Sequence, residues 1–341
     1  MQHTAPCMIM LLLLSLRTSM ADDCSAGNGG SQFASTIVVD KSGKGNFNSI
    51  QSAIDSIPSN NAQWIKVRIN PGVYTEKVVI PIDKPCIVLE GQDRSVTTIT
   101  FYAHDRTDRS CTFTSFADNI VAKGITFKNS YNHLLLLERL SSERPIPGVS
   151  QAVAARILGD KSAFFQCGFL GLQDTLWDAI GRHYFYQCHI EGAVDFIFGY
   201  GQSLYEDCSI NVTAGAFSSQ IPLGYITAQG RQSSNDPSGF VFKRGEIFGT
   251  TQPYLGRAYG PYSRVIFQET TMNAEVVSEG WDAWRYPGKE ENFMYAEVNC
   301  QGAGSDTSRR VPWEKKLNPS QLNQFSRSSF IDNDGWIGRL P

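Results

Sequence analysis

Two short stretches hold the side chains best suited to chemistry. "FFQCGFLGLQDTL" runs from Phe164 to Leu176, and "FYQCHIEGAVDFIF" runs from Phe185 to Phe198. In each, an aromatic pair leads to Gln and Cys, and a carboxylate follows seven residues after the cysteine. If Cys167 lies over Cys188, then Asp174 lies over Asp195. Two carboxylates one rung apart repel each other, which raises at least one pKa and makes titration a property of the pair. One can then act as an acid while the other is a base or nucleophile. The flanks, Phe196-Ile197-Phe198 after Asp195 and Leu176-Trp177 after Asp174, argue against two solvated loop aspartates.

Gln151 and Gln173, 22 residues apart, suggest a second column. A glutamine amide offers two donors that cannot ionise, which suits a developing oxyanion. A glutamine ladder that only tightens the stack reads the same pattern. Gln173 and Asp174 are neighbours, so in a flat strand they would face opposite ways; both can serve one cleft only if the chain bends there. Other chemistries fit poorly. "GQSLY" lacks the last glycine of a nucleophile elbow, and neither a zinc pattern nor a phosphate loop occurs. His104, His133, His183 and His189 show no ligand spacing and read as surface or core residues.

Positioning these groups requires a repeating scaffold. Cys167, Cys188 and Cys208 are separated by 21 and 20 residues; Phe164, Phe185 and Tyr205 precede them by three, and Phe169, Ile190 and Ile210 follow by two. Short alternating pieces such as "IKVRINPGVY" and "SRVIFQETTM" recur along the chain. Strands at a period of roughly 20 residues read as a solenoid whose coils stack to bury their apolar faces. The fold predicted from the pattern is all-β, a parallel β-helix, with an antiparallel sandwich as the alternative. The three cysteines then form an interior column, or else a disulfide. "NSIQSAIDSIP" predicts a short N-terminal capping helix, with Ile50, Ile54 and Ile57 at helical spacing, Asn48 as cap and Gln51 three residues on. The tail from 302 to 341 reads as irregular and wrapping the far end, and 141–148 as a surface loop.

No linker divides 22–341, which reads as a single catalytic domain. Residues 1–21 carry an apolar core, Cys7 to Leu16, too short to span a bilayer; with Ser19 and Ala21 they read as a secretory signal, although without a basic start. The formal charge is -3 with no basic run, which argues against nucleic acid, and no second apolar stretch predicts a membrane span. Of eight cysteines, seven follow the signal, an odd number that leaves at least one thiol unpaired and the pairing open. Asn211-Val212-Thr213 is the sole glycosylation sequon.

Six ordered blocks make the chain resemble the plant pectin methylesterase (pectinesterase) family: "GVYTE" (72–76), "QAVAAR" (151–156), "GLQDTL" (171–176), "DFIFG" (195–199), "YITAQGR" (225–231) and "LGRAY" (255–259). The resemblance implies a right-handed parallel β-helix. It makes Asp195 the nucleophile, Asp174 the proton donor and later base, and Gln173 the oxyanion stabiliser. Gln151, Arg257 and Thr107 match substrate-contacting positions, Arg257 also pairing with the nucleophile. Tyr259 stands where the family often has Trp and Leu172 where it often has Tyr, which bears on subsite preference. Phe198, Trp281 and Trp284 are candidates for stacking on sugar rings, and Trp281 and Trp284 read equally as core.

The implied substrate is methylated homogalacturonan, cleaved to free carboxylates and methanol without metal or cofactor, by a secreted, monomeric cell-wall enzyme that a proteinaceous inhibitor could bind. The rivals are another pectin-active β-helix enzyme, either a hydrolase with two carboxylates, more widely spaced if it inverts, or a lyase that would usually need Ca²⁺, and a non-catalytic carbohydrate binder.

Overall fold

The computed structural model describes residues 24–25, 32–134 and 148–341. The N-terminal segment at 1–21 and nearly all of the loop at 141–148 lie outside the described residues. Each coil contributes a short strand to three sheets, one of ten strands and two of eight. Within each sheet the strands follow one another in chain order, and the ladders are parallel. That is a parallel β-helix, and such crossovers wind right-handed.

Identical or similar side chains stack along the interior. Phe164, Phe185, Tyr205, Phe242 and Phe267 occupy one register row, their rings 5.0, 4.5, 4.5 and 4.5 Å apart. Each buried ring contributes about 1.5–3 kcal/mol. Phe127, Phe169, Ile190, Ile210 and Ile247 form the next row. Cys167, Cys188 and Cys208 are buried free thiols, and Cys188 and Cys208 hydrogen-bond to the carbonyls of Phe164 and Phe185 one coil back. The disulfide joins Cys24 to Cys86 instead. The residues before these cysteines, Gln166, Gln187 and Asp207, are left-handed (φ 53, 52 and 54°), so the chain turns there into the next sheet.

The capping helix spans Ile50–Asp55 and buries Ile50, Ala53 and Ile54. Its N-cap is Ser49, which accepts from the Ser52 N–H, rather than Asn48. Ser49 wins because it has the extended backbone that a cap requires (φ -128, ψ 149°), and because Glu76 accepts from the N–H groups of Ile50 and Gln51 at 3.0 Å. Gln51 turns away to bond both the N–H and the C=O of Val79, closing the edge strand Val78–Ile80.

The tail covers the other end only at first, where Trp313 packs on Phe293 and Tyr295. It then runs back along the outer face of the ten-stranded sheet, where Phe325, Phe330, Ile331 and Trp336 cover Tyr184, Leu204 and Val241. Two short helices, Pro319–Asn323 and Arg327–Phe330, punctuate it. Asn211 lies in the strand Ser209–Val212, its amide donating to Glu191.

Candidate active site

The two aspartates sit at equivalent points of adjacent coils. Gln173 bridges Val194, the Asp174 N–H donates to the Val194 carbonyl at 3.1 Å, and Leu176 pairs with Ile197. Both aspartates are left-handed, with φ of 59° and 49°. Asp is one of the few residues that tolerate this conformation. The bend it produces is the one Gln173 and Asp174 need to serve one cleft. On the next coil the register slips, so that Asp195 and Phe196 together oppose Ile226; this is a bulge, which re-aims a side chain. Gly199 (φ 128°) closes the strand where any Cβ would meet the Asp178 carbonyl at 2.0 Å.

Both carboxyl groups are buried, at 9% and 7% exposure. Burial pushes Asp174 well above the usual carboxylate range; the neighbouring charge of Asp195 adds to the rise and Arg257 opposes it. Burial also raises Asp195, but there Arg257 counteracts through hydrogen bonds and charge. Arg257 grips Asp195 with both arms of its fork: Nε reaches Oδ1 at 2.7 Å, and Nη2 bonds Oδ2. The guanidinium is in turn packed by Tyr225 (4.4 Å to the ring centre) and Trp284 (4.3 Å). The arrangement therefore favours an ionised Asp195 beside a protonated Asp174.

A family model for pectinesterases matches residues 36–334. Probable pectinesterase 29 of Arabidopsis thaliana is 47% identical over 305 residues, 89% of this chain and 89% of the relative. Probable pectinesterase 55 of the same plant is 48% identical, over 89% and 91%. This chain belongs to the pectinesterase family. Among solved structures, pectin methylesterase from carrot superposes with a TM-score of 0.80 at 29% identity, covering 93% of this chain and 97% of that one.

In this pectinesterase the remaining candidates are spread around the dyad. The Ala152 N–H donates to the Gln173 carbonyl, which puts Gln151 on the coil beside Gln173. Among the described residues neither glutamine side chain has a hydrogen-bond partner, so both amides are available. Phe198 stacks on Trp177 at 5.3 Å, and Tyr259 packs against Trp284 at 5.5 Å. Thr107 lies in a loop whose carbonyl accepts from the Cys111 thiol, and Cys111 clusters with Trp177 and Phe198.

Trp281 is a correction. It is 1% exposed and stacks on Tyr295 at 4.5 Å, because in the strand Trp281–Asp282 it points inward while Asp282, paired with Arg257, points out. Leu172 is also interior, against Ala193 and Phe217. Sequence marks Trp177 only as an apolar flank of Asp174, and gives no signal for Arg285. Tyr225 opens a recognised block, but only the row Val194–Tyr225–Tyr254 reveals its place beside Arg257. A concavity of about 900 Å³ lies away from the dyad, beneath the tail, lined by Phe165, Tyr184 and Arg327.

Proposed function

We propose that the chain hydrolyses galacturonic methyl esters of homogalacturonan through an aspartyl acyl-enzyme. Hydrolysis of pectin methyl esters is the activity of its family, which makes it a carboxylic ester hydrolase. The bidentate Arg257–Asp195 pair beside a protonated Asp174 carries the mechanistic reading. Ionised Asp195 attacks the ester carbonyl carbon. The amides of Gln173 and Gln151 donate to the oxyanion that forms. As the carbon–methoxy bond breaks, Asp174 gives its proton to the leaving oxygen, and methanol departs. The product is a mixed anhydride between Asp195 and the sugar acid. Asp174, now a carboxylate, takes a proton from water; the water oxygen attacks the sugar acyl carbon, and Asp195 leaves as a carboxylate.

Tyr259, and the Phe198–Trp177 stack, offer aromatic surface to sugars, whereas the Trp284 ring is taken up by Arg257 and Arg285. The same reading includes secretion to the cell wall, favoured by the Cys24–Cys86 disulfide, and activity as a monomer. The surface around the two aspartates is also the one that a proteinaceous inhibitor would have to cover.

The test is methanol release from highly methylated pectin with chain length unchanged. Asp195→Ala should lose activity by roughly 10³-fold or more, and Gln173→Ala by about 10²–10³-fold, with folding intact. New reducing ends or unsaturated sugars, or full activity in Asp195→Ala, would reject the assignment.

A further inference from the structure

The indole of Trp284 packs two guanidinium groups, Arg257 at 4.3 Å and Arg285 at 3.9 Å from its ring centre. Arg257 is committed to Asp195. Arg285 is exposed, and no described carboxylate lies within ion-pair distance of it. Tyr259 flanks it at 5.5 Å. Its charge still reaches the reaction centre, where it favours ionised Asp195. The backbone is bent to hold this arrangement. Trp284 is left-handed (φ 46°), a conformation that bulky residues keep mainly where their surroundings impose it, functional sites above all. The Asp282 carboxylate accepts from the Trp284 N–H at 2.8 Å and fixes the turn.

We propose that Arg285 forms a carboxylate subsite, binding the free acid of a uronate unit next to the ester under attack. The inference rests on reading the groove as the homogalacturonan site. An arginine fork matches a carboxylate with two parallel hydrogen bonds, whereas a methyl ester carries no charge to meet it. With a net charge of -3, the molecule as a whole offers little long-range attraction to a polyanion; recognition falls to a local cation. Each hydrolysis would then create the ligand that favours the next, and the enzyme would leave runs of free carboxylates.

Two readouts test this apart from the ester chemistry. Binding of fully de-esterified hexagalacturonate, followed by tryptophan fluorescence, should weaken about tenfold in Arg285→Gln and by less in Arg285→Lys. Wild-type affinity should also fall as NaCl is added. In parallel, the ratio of kcat/KM for half-de-esterified over fully esterified pectin should drop about tenfold in Arg285→Gln. Equal hexagalacturonate binding by wild type and Arg285→Gln would overturn the subsite. A protein that binds the hexamer through Arg285 yet releases no methanol would sink the esterase reading and leave the subsite standing.

Discussion

At the scale of single residues, the site works by treating two like groups differently. Asp174 and Asp195 share a backbone conformation and a coil position, and both are buried. Only Asp195 has an arginine fork. The asymmetry has a consequence for stability. The folded pKa of Asp174 lies well above the roughly 3.9 of an unfolded aspartate. As pH rises past that value the unfolded chain gives up this proton while the native state keeps it, so the native state is progressively disfavoured up to the folded pKa. Asp174→Asn removes this penalty. It should be inactive yet melt at a higher temperature than wild type at pH 7, with the gap closing towards pH 4. Parallel melting curves across that range would show that burial does not raise Asp174. The pairing of these carboxylates was legible in the sequence because the flanking cysteines keep step. The packing around Arg257 was not, since Tyr225 and Trp284 come from coils whose spacing is irregular.

At the scale of elements, the repeat was visible only where the coils are of equal length. Phe164, Phe185 and Tyr205 lie 21 and 20 residues apart, and the stack was evident from them. The same column continues through Phe242 and Phe267, but loops of different length intervene and erase the period. Burial, not spacing, keeps the aromatic there. The capping helix was legible for a different reason: three isoleucines at helical spacing fix its buried face. Its anchorage was not, because Glu76 and Val79 are distant in sequence and become neighbours only once the coil closes. Gln51 satisfies both polar groups of Val79 on the edge strand, the bonds a further coil would otherwise make. Gln51→Ala should therefore cost about 1 kcal/mol in denaturant unfolding, while methanol release at low temperature stays near normal. A loss below about 0.5 kcal/mol would mean that water replaces the amide without penalty.

At the scale of the molecule, the dyad occupies the most protected place that a solenoid has. Its strands, Leu176–Asp178 and Val194–Gly199, are the fourth and fifth of eight in their sheet. In a stack where each coil touches its neighbours, unfolding starts at an end and must pass through the intervening coils to reach the middle. The tail adds a second restraint. Arg182 and Lys161 hold Asp334, and Lys123 bonds the Pro341 carbonyl, so the last residues of the chain are tied to coils far from the C-terminal end. Native-state hydrogen exchange should accordingly be slowest in the two dyad strands and faster in the outer coils. Trp336, 2% exposed against the outer sheet face, is the pin of this strap, and Trp336→Ala should lower global stability by about 3–5 kcal/mol. Exchange in the dyad strands should accelerate by the same free energy, because with the strap loosened they open only in global unfolding. If those strands kept their protection in Trp336→Ala while the tail alone opened, the coils would hold together without the strap, and the preorganisation of Asp174 over Asp195 would belong to the stack by itself.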